Sequence, residues 1–589
     1  MKSKSARRIT RRDFLKFGGM TLAAMLTACE RKIQTSQLLV QPTLRATVPA
    51  YATPAARSIS TGPADLILKS GKVYTVDPAF SIAQAVAVKD GLIQAVGDDQ
   101  TITGMADDKT EVIDLAGKAV TPGLIDGHVH FRALGLMYTY YTGFIPPDVK
   151  DIASMQRKLK DVIKSKKPGE WITGYYIALA DKPVPLKEDL DAVSPDNPVF
   201  MMQIGGHFAG VNSAALQIAK VTSSTASPEG GIIEKGKDGE PTGALYNHRA
   251  MDVVRAYAPP ISGDLVRQSI LDTQTLMAAS GVTSFQDNNV RSLDDLKAYQ
   301  DLTREGKLLL RNDLYLTLEY PADMSKVDQV EYYQDDITRV AGYKFLIDGQ
   351  GPTAYCHEKT TGVAWQMPTW NVDDYKSAVR TLHDTGLQIC THCIGDAAAD
   401  LALEAYEQAM NANPRSDPRH RIEHAMLTTP QATQKMKDLG VPVSTQPAFL
   451  YFFGDGWKNI FGEKRMERIC VTREWLEAGV HLHINSDAPS SPFYHPAAAL
   501  AGSMNRQTLK KTILGADQAL TFDQALRAHT YEGAYVAHEE NVKGSLEPGK
   551  FADLVVWPKD PSTLTLEQLA LTKTVYMTIV GGKVVHKEG

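Results

Sequence analysis

The sequence predicts an α/β protein, a (β/α)8 TIM barrel carrying a small β-sandwich domain built from both chain ends. Three observations predict it. Through the middle of the chain, short apolar runs alternate with helix-like segments, the pattern of βα units around a parallel sheet. Short alternating strands broken by Gly and Asp-Gly turns cluster before residue 122 and again after residue 540. Histidines and an aspartate recur at the ends of the central strands, the face on which barrels gather their functional groups.

At 589 residues the chain can bury a sizeable core without disulfides, and its five cysteines are too few for a disulfide framework. A composition 43% hydrophobic and 22% charged excludes a fibrous or wholly disordered chain. Lys+Arg 63 against Asp+Glu 68 leaves no basic excess, so nucleic acid is not an expected partner.

Residues 1–28 read as an export signal. Lys2, Lys4, Arg7, Arg8, Arg11, Arg12 and Lys16, opposed by Asp13, precede an apolar run from Phe17 to Ala28 that is too short to span a membrane. Thr10–Lys16 (TRRDFLK) resembles a twin-arginine signal, and Leu26–Cys29 (LTAC) resembles a lipobox whose cysteine is acylated. Two signals at the right spacing outweigh the alternative of a basic, amphipathic cytosolic start. Removing this segment takes away seven Lys/Arg and one Asp, which shifts the net charge from −5 to −11. Residues 29–63 are rich in Thr, Ser, Pro, Ala and Gln and read as a disordered tether.

Residues 64–121 and 540–589 are expected to close one β-sandwich, with two separate hairpin appendages as the alternative. Between them lies the barrel, residues 122–539, with an inserted lobe at about 134–260. Eight strands are predicted: Gly123–His128, Gly281–Gln286, Arg311–Leu318, Gly342–Ile347, Leu387–His392, His420–His424, Val441–Gln446 and Val480–Ser486. Ser292 with Asp295 marks a helix start, and Gly281, Gly306, Gly386, Gly440 and Gly479 stand where helices should end.

His128 and His130, two apart on the first strand, point the same way and suit zinc or a similar divalent ion. Lys344, His392, His424 and Asp487 end or nearly end strands four, five, six and eight. Each alone could be a packed core residue, but together they describe a metal site. Cys393 is read as packing, and His481 and His483, which share a face ahead of Asp487, as barrel core or as support behind the site.

PGLIDGHVH, KFLIDG, HCIGDAA, RIEHA and SDAP, in that order, resemble the signature positions of the amidohydrolase superfamily. GGHFAGVNSAAL and DGEPTGAL narrow the resemblance to the YtcJ-like group, which includes N-substituted formamide deformylases. It runs from about Asp65 to the C-terminus. The resemblance implies that His128, His130 and Asp487 hold one metal and that His392 and His424 hold a second. Lys344 matches a lysine that is carboxylated in many relatives and bridges both ions. An unmodified ammonium would repel a dication, so carboxylated Lys344 is required if this residue is a ligand. One or two divalent ions, zinc expected, are therefore the cofactors. Asp487 would also be the catalytic proton carrier, and His207 and Asn212 would touch substrate.

The expected function is metal-dependent hydrolysis of a non-peptide C–N bond in a linear amide, formamide or N-acyl amine. Cyclic amide opening or deamination is the alternative within the superfamily. A non-catalytic binding lipoprotein would show eroded ligands, whereas every expected ligand is present. The partner is a small amide-type substrate, and a homodimer is left open. Membrane contact is expected only through a lipid anchor at Cys29, on the outer face of the cell membrane or in the periplasm. Phe131, Tyr138, Tyr140, Tyr141, Trp365, Phe449, Tyr451 and Phe452 crowd the loops and lobe, as packing or as the walls of an apolar pocket.

Overall fold

The computed structural model describes residues 54–55, 57–177, 179, 182–361 and 367–588. The expected signal segment, Cys29, most of the tether, and Trp365 lie outside the described residues. At the tether's far end, Arg57 pairs with Asp336 and stacks 4.6 Å from the Phe551 ring centroid. No helix among the described residues is long and apolar enough to cross a membrane.

Eight parallel strands stand side by side in chain order: Leu124–Val129, Val282–Val290, Arg311–Leu318, Thr338–Leu346, Gln388–Cys393, Arg421–His424, Val443–Thr445 and Leu482–Ile484. Every predicted strand is present. All their residues are buried, as a parallel sheet covered on both faces requires. The ladder is open only between the eighth strand and the first. There, Asp487 N donates to His128 O and His130 N donates to Ala488 O, both at 2.8 Å, which nearly closes the barrel. Gly127 N adds a bond of 2.9 Å to His483 Nε2 across the same seam. A Cβ on Gly127 would lie 2.4 Å from that nitrogen, so this position admits only glycine.

The helices between strands begin and end where the sequence places them. Ser292 caps Leu293–Arg304 by accepting from Asp295 N, and Gly281, Gly306, Gly386, Gly440 and Gly479 all have positive φ.

Between the first barrel strand and helix Gly263–Ala279, the chain departs into a lobe. Its six-stranded sheet runs Ile232–Lys235, Pro241–Tyr246, Phe208–Val211, Val199–Gln203, Ile172–Tyr176, Thr142–Phe144.

Two further sheets lie outside the barrel. One holds four strands from residues 66–114. The other pairs the N-terminal strand Ala119–Pro122 antiparallel with C-terminal Leu554–Val556. Leu66, Leu68, Val86 and Val88 of the first share an apolar core with Val120, Leu554, Met577 and Ile579 of the second. Arg311, at the foot of the third barrel strand, ties the second sheet to the barrel. Its Nε donates to Asp553 Oδ2 at 2.8 Å, with both side chains buried.

Three buried histidines, His420, His483 and His529, are held as neutral imidazoles. His483 accepts from Gly127 N and donates to Ala528 O, while His420 accepts from Ile389 N at 3.1 Å and faces His383 at 2.7 Å. Burial pushes His483 down to about 3 and His529 to about 4, and takes His420 well below the ordinary imidazole value of 6.5. Their stabilising contribution is complete above pH 6.5. Below it, the unfolded chain takes protons that the folded chain refuses, so stability falls. Each should cost about 1.4 kcal/mol per pH unit. Urea midpoints measured from pH 7 to pH 5 should drop steeply, and a flat profile would mean these groups are not held neutral.

Candidate metal centre

The strand ends bring five of the expected ligands to one wall of a cavity of about 270 Å³ at the barrel mouth. His130, Lys344, His392, His424 and Asp487 line it, and His128 lies just beneath. The ring centroids of His392 and His424 are 4.3 Å apart, those of His128 and His424 4.8 Å, and those of His128 and His130 5.5 Å. Asp487 sits among them, its Oδ1 2.8 Å from His130 Nε2 and 3.4 Å from His128 Nε2. Ligand atoms of His128, His424 and Asp487 all lie within 4.8 Å of one another.

Three of the imidazoles are oriented alike. His128 Nδ1 meets Glu423 Oε2 at 2.5 Å, His392 Nδ1 meets Asp348 Oδ1 at 2.7 Å, and His424 Nδ1 meets Gln446 Oε1 at 2.8 Å. An acceptor on each Nδ1 fixes the proton there and leaves Nε2 as a free lone pair facing the centre, the arrangement of a metal-binding histidine. Burial drives all three well below their ordinary value, so they stay neutral. Burial alone would raise Asp487, but the hydrogen bond with His130, at 2.8 Å, works the other way and favours its carboxylate. Burial pushes Asp348 up to about 7, against backbone donors from Gly395, Ile394 and Tyr355.

Two ligand positions have a left-handed backbone, His424 at φ 70° and Asp487 at φ 49°. Such conformations cost about 1–3 kcal/mol each in non-glycine residues and gather at functional sites.

The donor set suits a divalent ion. His424 Nε2 is buried and makes no hydrogen bond, a penalty that a cation would remove. Lys344 is the one discordant group. It is 1% exposed, and its Nζ lies 3.2 Å from His128 Nε2, where an ammonium would compete for the lone pair. Burial lowers its pKa and favours the uncharged amine.

The two expected substrate contacts part ways. His207 lines the cavity with its ring 5.2 Å from that of His392, and burial pushes it down to about 3. Asn212 does not reach the cavity. It caps helix Ser213–Ile218, accepting from Val199 N and Ala215 N and donating to the Ser194 and Asn197 carbonyls. Its hydrogen-bonding capacity is spent inside the lobe, so its role is structural. Among the aromatic residues, Tyr141 and Phe449 line the cavity, whereas Phe131 is buried and stacked on Phe285 at 3.6 Å. Glu423, Asp348 and Gln446, the groups that orient the imidazoles, were not singled out from sequence. Glu423 and Asp348 stand inside RIEHA and KFLIDG, one residue before His424 and four after Lys344.

A sequence profile described as the amidohydrolase family matches residues 111–586. The protein LONG AFTER FAR-RED 3 of Arabidopsis thaliana is 29% identical over 545 residues, covering 88% of this chain and 91% of that protein. N-substituted formamide deformylase of Arthrobacter pascens is 28% identical over 536 residues, covering 87% and 97%. The crystal structure of an uncharacterized metal-dependent hydrolase from Pyrococcus horikoshii OT3 has the same fold. It matches at a TM-score of 0.68 and 24% identity, over 85% of this chain and 99% of that one. The profile spans every barrel strand and every residue of the histidine–aspartate cluster, and the chain belongs to the amidohydrolase family, as a metal-dependent hydrolase of non-peptide carbon–nitrogen bonds.

Proposed function

We propose that the enzyme cleaves a linear amide, formamide or N-acyl amine, with Asp487 moving the proton. The observation that carries this reading is the buried, unpartnered His424 Nε2, clustered with His128 and the Asp487 carboxylate within 4.8 Å. Likeness to the Arthrobacter deformylase along most of both chains supports the substrate class.

His128, His130 and Asp487 would hold one ion, and His392 with His424 a second. Nitrogen and oxygen donors of this kind favour zinc. A divalent ion there supplies an acidified water, with a pKa toward about 7, and withdraws charge from a carbonyl oxygen. The chain's own residues do the rest. Asp487, ionised and within reach of the centre, accepts a proton from the water that adds to the carbonyl carbon. As the C–N bond breaks, the same proton passes to the departing nitrogen, giving a carboxylic acid and an amine. Glu423, Asp348 and Gln446 keep the imidazole lone pairs aimed inward. His207, neutral beside His392, can donate to the carbonyl side of the substrate. Lys344 would, on taking up carbon dioxide with loss of a proton, become an anionic carbamate able to hold metal. We read the two sheets outside the barrel as the expected β-sandwich.

Asp487→Asn should retain most of the metal while kcat/KM falls roughly 10²–10⁴-fold. An Asn variant within tenfold of wild type removes the proton-carrier role. For Lys344, protein stripped of metal and carbon dioxide should reload metal fully only when bicarbonate is present. Equal loading without bicarbonate rejects the carbamate.

The leader carries its own proposal, a lipid-anchored protein exported folded. Replacing Arg11 and Arg12 together by Lys should keep the protein in the cytoplasm, and Cys29→Ala should release it from the membrane fraction. Unchanged fractionation of both variants rejects export by this route.

A further inference from the structure

Part of the cavity lining is cationic. Arg132, Arg255 and Arg291 line it beside His248, and among the described lining residues Asp487 is the one carboxylate. The three guanidinium groups come from separate elements. Arg132 lies in the first turn of helix Phe131–Thr139, Arg255 ends helix Asn247–Arg255 of the lobe, and Arg291 follows the second barrel strand. They converge near Tyr141, another lining residue, whose hydroxyl feels all three charges.

The carboxylates that balance these charges stand behind the wall. Arg291 pairs with Glu319, and its Nε donates to Asn289 Oδ1 at 2.9 Å. Arg255 pairs with Asp252, which also accepts from the Tyr320 hydroxyl. Asp287 is taken up by the Tyr299 hydroxyl at 2.6 Å and Asn289 N at 2.9 Å.

Arg132 differs from the other two. Among the described residues it makes no hydrogen bond, and the carboxylate with which it forms an ion pair, Asp295, stands 3.6 Å away. Its side chain is 14% exposed, and its Nε is buried without a partner. A guanidinium carries five donors in a planar fork. Removing those donors from water without acceptors is unfavourable, so the position is stable only if something else supplies acceptors. A fork of this shape matches a carboxylate or a phosphate. Arg255 and Arg291 are held by close carboxylates and Arg132 by one at 3.6 Å with no hydrogen bond, so its donors are the least engaged of the three and suit a further carboxylate. Leu136, Met137, Met202, Ile204 and Ile261 make the rest of this side apolar.

We infer that the substrate is an amide that also bears a carboxylate, gripped by the Arg132 fork beside Arg255 and Arg291 while its amide lies against the histidines. This rests on the proposed amide hydrolysis and narrows it to carboxylated amides with a short apolar body.

The test compares N-formylnorleucine and 6-formamidohexanoate with the neutral N-hexylformamide on the metal-loaded enzyme. At least one carboxylated formamide should exceed the neutral one in kcat/KM by roughly 10- to 100-fold, mainly through KM. Arg132→Met should collapse that ratio. A merely structural arginine would lower all the rates together and leave the ratio intact, which overturns the inference, as does a wild type that prefers the neutral compound. Should Arg132→Met fail to melt cooperatively, Arg255→Met is read in the same way. If none of the three compounds is hydrolysed, the formamide reading fails by itself, and the subsite is then tested by calorimetry with hexanoate and hexanamide. Tighter binding of hexanoate that Arg132→Met abolishes supports the subsite. Equal binding of the two rejects it.

Discussion

The site depends on a buried charge chain along the barrel axis, Arg421–Glu423–His128. All three side chains are fully buried. Arg421 donates to Glu423, to Gln286 Oε1 at 2.5 Å and to the Gly127 carbonyl at 3.3 Å, so it spans strands one, two and six. Glu423 uses its other oxygen to fix His128. A carboxylate in this interior is tolerable only because two partners satisfy it, and removing either would strand an ion at a cost of about 3–5 kcal/mol. The barrel interior and the metal centre are therefore one electrostatic unit. The orientation of His128 is set by packing several ångströms below the reacting groups.

Much of the fold was readable in the sequence because its physics is local. Parallel strands buried on both faces read as unbroken apolar runs, and glycines at helix ends reveal themselves because positive φ suits few other residues. His392 also followed its strand's alternation. His424 did not. Arg421 and Glu423 share the interior face, so strict alternation would turn His424 outward. The left-handed turn at His424 reverses that and brings its ring into the cavity. Asp487 is turned in the same way, three residues beyond its strand. Such reversals are invisible to a period-two reading, and it was the position of both residues at strand ends, with the motif resemblance, that marked them. Asn212 shows the opposite failure. It sits inside a motif that suggests substrate contact, yet a buried Asn with all its bonds made inside the lobe has nothing left to offer a ligand.

Cross-strand anchoring is the other feature that sequence conceals. Nothing in HCIGD or QPAF says that His392 will lean on Asp348, or His424 on Gln446, because each pair joins neighbouring strands separated by a helix. The common logic emerges only in three dimensions. Each Nδ1 is matched to an acceptor, and each Nε2 is left to the centre. An imidazole without such an acceptor could present either nitrogen, and metal affinity would suffer from the disorder.

The division of labour between barrel and lobe follows from how each is held. The barrel supplies every residue of the histidine–aspartate cluster from strand ends locked in one continuous ladder. The lobe supplies His207, His248, Met202, Ile204 and Arg255 to the same cavity, from a segment with its own hydrophobic cores. Changes in the lobe can therefore reshape what the cavity accepts without disturbing the imidazole anchors below. Arg132 lies on the boundary, two residues after His130 on the helix that leads into the lobe. A carboxylate bound at Arg132 would therefore be tied to the position of His130 through a single turn of backbone.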